Sequence, residues 1–162
     1  MPKLENGMEL ETSPSVDLPA ATDAWLSVVR TYNECTRTLT QQFAPLGITS
    51  LQHEILMNLR QTGGLTQQAL SARCFSAKSG VSMVVTAFVR DGLITRTRAP
   101  DDQRAWNLHL TEKGRTLAEL AAQKQAEVVS EMAQGLSLDE LAMIQTMMAQ
   151  AAERLKALRA AR

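Results

Sequence analysis

Between Thr49 and Leu110 the chain is cut into short pieces by capping and turn residues, and that punctuation leaves few folds open. Thr49-Ser50-Leu51-Gln52 has the spacing of a capping box, in which the Thr hydroxyl and the Gln amide satisfy free N–H groups at a helix start. Leu51, Ile55, Leu56 and Leu59 then recur at helical steps until Gly63-Gly64. Thr66 is placed to cap a short helix running through Leu70 and Cys74. A further helix is predicted to begin near Lys78, with Val81, Val84, Val85 and Phe88 as its buried stripe. Asp91-Gly92 ends it, glycine fitting the left-handed position after a helix. Two short helices joined by a tight turn form a helix-turn-helix.

A hairpin comes next along the chain. Leu93 to Arg98 reads as a strand in which Thr and Arg alternate, Ala99 to Gln103 is a turn cluster, and Ala105 to Leu110 returns with Trp106, Leu108 and Leu110 on one side. A hairpin with both charge signs at its tip, placed after a helix-turn-helix, is a wing. The expected fold is mainly α with a small β-hairpin wing: a winged helix-turn-helix with N- and C-terminal dimerisation helices.

Long helices flank this middle. Trp25, Val28, Tyr32, Cys35, Leu39, Phe43 and Leu46 step by three and four from Pro19 until Pro45 and Gly47. Thr111 caps a helix carrying Leu117, Leu120, Ala121, Val128 and Met132, interrupted by Gly135. Ser137 to Glu140 is a second capping box. It opens a helix whose Leu141, Ile144, Met148, Ala151, Leu155 and Leu158 form a heptad seam. These helices carry more apolar surface than the middle covers, so a homodimer is expected. The division read from the pattern is a polar tail over 1–18, dimerisation helices over 19–47 and 112–162, and a DNA-binding winged region over 48–111.

Composition agrees with helix packing, since apolar residues are 44% but aromatics only 4%. Net charge is zero, yet from Arg60 to Arg115 nine basic side chains stand against four acidic ones, which gives phosphate a basic middle to contact. No apolar run is long enough for a membrane span, and the acidic, polar start lacks a signal-peptide pattern. Two cysteines cannot build a disulfide framework. A cytoplasmic protein with no membrane partner is expected. Two histidines without clustered carboxylates or cysteines make no metal site, and no cofactor is expected. The chain also lacks nucleophile–His–acid spacing, a Gly-rich phosphate loop and paired carboxylates, so it does not read as an enzyme.

Three strings in order carry a family resemblance. They are Leu65 to Leu70, then Val85 to Ile94 ending Asp91-Gly92-Leu93-Ile94, then Asp101 to Ala105 leading to Leu110-Thr111-Glu112-Lys113-Gly114-Arg115. Over about residues 20–160 the chain resembles the MarR (multiple antibiotic resistance regulator) family, whose wing is commonly Asp-x-Arg followed by Leu-Thr-x-x-Gly. The resemblance implies a triangular dimer with interlocked terminal helices. Each lobe would place its fourth helix in a major groove and its wing in a minor groove of double-stranded, near-palindromic operator DNA. It further implies repression of transcription, often relieved by a small-molecule effector such as an aromatic acid.

On that reading Ser76, Lys78, Ser79, Ser82 and Met83 are the base- and phosphate-facing residues of the recognition helix. Arg96 and Arg98 are phosphate contacts on the wing strand, and Asp102 orients Arg104 for the minor groove. The chain departs from the family at Ala77, Gly80 and Met83, where Ser, Thr and Arg are frequent; Ser76 is then expected to take over the helix cap. Trp25, Arg30, Tyr32, His53 and Arg60 are the candidates for effector binding, between the first two helices and the winged lobe. Cys35 is the candidate for redox control. Two alternatives stay open: a winged helix that binds protein in place of DNA, and a cysteine-controlled repressor.

Overall fold

The computed structural model describes residues 16–98 and 105–161. Among these residues, six helices, α1 (Leu18–Phe43), α2 (Ser50–Gln61), α3 (Gln67–Arg73), α4 (Lys78–Arg90), α5 (Glu112–Ala133) and α6 (Leu138–Ala160), accompany strands β1 (Leu65–Thr66), β2 (Ile94–Arg98) and β3 (Trp106–Leu110). The chain forms two units, Met1–Thr36 and Arg37–Arg162.

The described part of the first unit is the start of α1. Asp17 opens the helix by accepting from the Ala20 N–H at 3.1 Å. Pro19 costs nothing there, because a first-turn N–H has no partner inside the helix. The turn after α1 is a single 3-10 turn, Ala44–Leu46, closed by Gly47 at φ 66°.

In the second unit the punctuation acts as read. Thr49 accepts from the Gln52 N–H while its own N–H donates to Gln52 Oε1 at 2.7 Å, completing the box. Thr66, Thr111 and Ser137 cap α3, α5 and α6 through their hydroxyls. One expectation fails. The N-cap of α4 is Ala77, with no side-chain cap, and Ser76 lies in the bend before it, so Ser76 does not replace the missing cap.

The core lies among α2, α4, α5 and the sheet. Ile55 and Leu56 of α2, Leu70 of α3, Val81 and Val85 of α4 and Leu108 of β3 are sealed from solvent. Ala118 and Ala121 are the fully buried face of α5, small enough for close approach to α2. Gly80 has a related reason: a Cβ there would stand 3.3 Å from Leu51 Cδ2, so its absence lets α4 close on α2. The glycine that departs from the family pattern is a packing residue.

The sheet has three antiparallel strands in the order β1-β3-β2, one more than the hairpin read from sequence. β1 is only Leu65 and Thr66, paired with Leu108 and Asn107. Two residues show no alternation, and Thr66 is also the cap of α3, which conceals the strand. Pairing Ile94 with Leu110, Arg96 with Leu108 and Arg98 with Trp106 fixes the register of the wing strands. At the base of the wing, Thr111 N–H donates to Leu93 O (3.0 Å) and Thr111 Oγ1 donates to Gly92 O (2.7 Å), joining strand start to helix start.

His53 is the buried polar side chain of this core, stacked on Phe43 with ring centroids 4.3 Å apart. Burial pushes its pKa below the usual value, a hydrogen bond to Gln125 opposing the shift, and Nε2 has no partner among the described residues. A lowered folded-state pKa means that the unfolded chain takes up the proton first. Stability from this residue is therefore intact above about pH 6.5 and lost as pH falls below it, at up to about 1.4 kcal/mol per pH unit. Unfolding titrations between pH 7 and pH 5 should show this slope, and His53→Gln should flatten it.

Candidate nucleic-acid interface

α4 presents one face to solvent. Ser79, Ser82, Met83, Thr86, Ala87 and Arg90 line a shallow groove of about 590 Å3 along it. The opposite stripe, Val81, Val85 and Phe88, anchors the helix in the core and fixes which side faces out. At about 1.5 Å per residue the helix is close to 20 Å long, a length that enters a major groove.

Lys78 stands exposed at the first position of α4, where its charge opposes the helix dipole and no side chain caps the free N–H groups. Both features cost helix stability. Together they leave an ammonium and unsatisfied backbone donors at one end of the exposed face, the arrangement that takes a phosphate oxygen. At the other end Arg90 is held by Asp91 at 2.8 Å, and the pairing lowers the Asp91 pKa and raises that of Arg90.

The hydroxyls differ in what they can still do. Ser82 Oγ accepts from Gln67 Nε2 at 3.1 Å, which leaves the Ser82 proton free to donate. Thr86 Oγ1 donates to the Ser82 carbonyl at 2.9 Å, so its methyl is what it offers outward. Gln67 on α3 is a residue that the sequence reading missed; its place opposite Ser82 depends on how α3 crosses α4. Phe75 was missed too. It is fully exposed, while its N–H is pinned by Glu54 Oε1 at 2.8 Å. A phenylalanine in a helix-turn-helix turn carries no periodic signal.

On the wing, Arg96 and Arg98 are exposed on β2. The Arg98 guanidinium lies 3.9 Å over the Trp106 ring, a cation–π contact that holds an otherwise flexible cation in place. Asp102 and Arg104 lie outside the described residues.

The effector candidates fall in both units, and each unit is described by itself. Trp25, Arg30 and Tyr32 are exposed on α1. On α2, His53 is buried against Phe43, whereas Arg60 is exposed and lines a cleft of about 220 Å3 with Leu59, Gly63, His109, Leu110, Arg115 and Glu119. His109 sits within that cleft and its Nε2 lies 3.1 Å from Thr97 Oγ1 on β2. Arg115 is partly committed, donating to Leu110 O and Glu112. Cys35 is half-buried on α1. The other thiol, Cys74, is pushed up to about 11 by burial and by the Glu54 charge, the opposite of what a reactive thiolate needs. No group of three or more metal-ligand residues occurs among the described residues. No described helix is long and apolar enough to cross a membrane.

The sequence profile of the MarR family matches residues 46–105, from the turn before α2 into the wing. Over that stretch the chain is similar to the MarR family. Relatives by sequence include an HTH-type transcriptional regulator of Bacillus cereus, 26% identical over 62% of this chain and 67% of its own length. YhbI of Bacillus subtilis, also an HTH-type transcriptional regulator, is 28% identical over 60% of this chain and 63% of its own. Among solved structures, AbsC of Streptomyces coelicolor, a MarR family transcriptional regulator, superposes with a TM-score of 0.75 at 23% identity, over 90% of this chain and 99% of that one. A mutant MarR from E. coli, complexed with operator DNA, gives 0.69 at 20% identity over 85% and 99%. These two likenesses are ones of fold. Both sequence relatives are named as transcriptional regulators.

Proposed function

We propose that this chain is a MarR-type transcriptional regulator that binds near-palindromic double-stranded operator DNA as a homodimer in the cytoplasm, represses transcription there, and is released by a small acid. The observation that carries the reading is the exposed α4 face. Lys78, uncapped N–H groups and the Ser79 and Ser82 hydroxyls stand on a helix anchored from behind, followed along the chain by the Arg96 and Arg98 strand. Lys78 and the two wing arginines neutralise phosphates and set register, and the α4 side chains read base edges. Asp102 and Arg104, outside the described residues, are proposed from the sequence alone as minor-groove contacts. The matched relatives are named as transcriptional regulators, and one fold neighbour is solved on operator DNA.

For the effector, the Arg60 cleft has the right chemistry. A carboxylate meets Arg60, which has no partner among the described residues, with His109 and Arg115 beside it and Leu59 and Leu110 as apolar wall. Its size suits a compact acid rather than a drug-sized ligand. His109 links the cleft to the wing through Thr97, so an occupant that draws the imidazole away withdraws a support of β2. Trp25, Arg30 and Tyr32 on α1, and separately His53 on α2, remain candidates for effector contact, and Cys35 for redox control.

Genomic fragments captured by the purified protein and then footprinted test this reading. A protected inverted repeat, with half-sites about one DNA turn apart, is expected. Capture of fragments sharing no sequence contradicts it. A protein-docking surface is favoured by exposed Phe75 and Met83, and it anticipates that second result.

A further inference from the structure

The exposed face of α4 is almost without charge between its ends. Lys78 is the cation at the start, Arg90 at the far end is paired with Asp91, and between them stand Ser79, Ser82, Met83, Thr86 and Ala87. A guanine is ordinarily read by a bidentate Arg or Lys, and the middle of this face has neither. What it has is methyl and thioether surface. Met83 is 74% exposed and outside the core, and Ala87 follows one turn later on the same groove. The Thr86 hydroxyl is bound to the Ser82 carbonyl, which leaves its methyl to a partner. Phe75, at the entry to the helix, adds a fully exposed ring on a backbone held by Glu54.

In the major groove one base presents an apolar group, the C5-methyl of thymine, and alanine, threonine methyl and phenylalanine are side chains that meet it. The Ser82 proton, left free by the Gln67 donation on a half-buried side chain lining the groove, supplies a donor for the neighbouring thymine O4 or purine N7. We infer that Met83, with Thr86 and Ala87, reads thymine methyl groups, so that operator half-sites are chosen for thymines where α4 lies and not for guanines. This inference rests on the DNA-binding reading and deepens it. Met83 is thereby a specificity residue in its own right. Its flexible thioether adapts to a methyl's position at little cost.

The test uses the full-length protein and the operator that it selects. Each half-site thymidine is replaced in turn by deoxyuridine, which removes only the methyl, and each guanine by 7-deazaguanine, which removes N7. The methyl projects into the major groove, so contacts of the wing in the minor groove do not feel the change. Wild-type affinity is expected to fall about fourfold for each contacted methyl, the worth of one buried methylene. Met83→Ala, folded by circular dichroism because the side chain is exposed, should bind the thymine operator more weakly and be indifferent to uracil at the position Met83 covers. Phe75→Ala run in parallel shows whether the entry ring contributes to the same discrimination. Selective binding that ignores uracil, or that is lost with 7-deazaguanine alone, overturns the inference while leaving DNA binding intact. A Met83→Ala variant as sensitive to uracil as wild type overturns it equally. Absence of any selectivity over a scrambled duplex overturns the operator reading itself, and this inference with it.

Discussion

Gly114→Ala is expected to cost about 3 kcal/mol of stability. Gly114 is the third residue of α5, and its N–H donates to the Thr111 cap at 3.1 Å. A Cβ there would fall well inside contact distance of the Leu93 carbonyl oxygen, 3.0 Å from the carbonyl carbon and 3.3 Å from Leu110 Cδ2. The obstacle is backbone, and it cannot step aside. The Leu93 oxygen accepts from Thr111 N–H, Thr111 Oγ1 donates to the Gly92 oxygen, and Lys113 Nζ donates to the Asp91 oxygen at 3.0 Å. Relief of the overlap would break these bonds, each worth about 1 kcal/mol. The gain of about 1 kcal/mol in helix propensity from alanine offsets only part. At roughly 2–4 °C per kcal/mol for a chain of this size, Tm should fall by about 6–12 °C. Gly63→Ala is the control, since its Cβ would meet only His109 Nδ1 at an ordinary 3.7 Å. A Gly114→Ala melting temperature within about 2 °C of wild type would contradict this account of the Leu-Thr-x-x-Gly segment.

Ile144→Asp together with Leu155→Asp is expected to convert the proposed homodimer to monomers. α6 has no buried residue in the protomer, and Leu141, Ile144, Met148, Leu155 and Leu158 are each between 37% and 61% exposed along its seam. A helix of 23 residues with that much free apolar surface gains stability by packing, not from its own propensity. In a homodimer the two substitutions strike four side chains, each worth about 1.5–3 kcal/mol when buried. Dimerisation should weaken by at least about 6 kcal/mol, near four orders of magnitude in Kd. Sedimentation should show a monomer at micromolar concentration, with the α2–α5 core still folded. Affinity for a two-half-site operator should collapse with it. A double variant that still sediments as a dimer would place the dimer contact elsewhere.

The fold was legible where residues punctuate. Thr49, Thr66, Thr111 and Ser137 each mark a helix start because a hydroxyl three residues ahead of an orphan N–H is a local device, independent of the rest of the chain. Gly92 and Gly135 mark ends for the same reason, both at positive φ. Tertiary causes were not legible. The Leu65–Thr66 strand exists only because β3 runs beside it, and Gly80 is small because Leu51 is near. Ser76 failed as a cap because the bend carries it ahead of the helix.

The site divides in the same way. That Lys78, Ser79 and Met83 face outward was legible because the buried stripe of α4 fixes which side is exposed. Gln67 and Phe75 were not, since a hydrogen bond across two helices and an exposed ring in a bend leave no spacing to read. Among the effector candidates, α2 separates His53 from Arg60 by burial, and His109 entered the cleft from a strand that sequence assigned to the wing alone.

The central claim is selective binding of duplex DNA by a dimer of α4 helices with basic wings. Titration of the selected operator and of a scrambled duplex, repeated at several salt concentrations, tests it most directly. The account predicts two protomers per operator, tighter binding than to the scrambled duplex by at least about a thousandfold, and affinity that falls steeply as salt rises. Equal affinity for both duplexes at every salt concentration would contradict it.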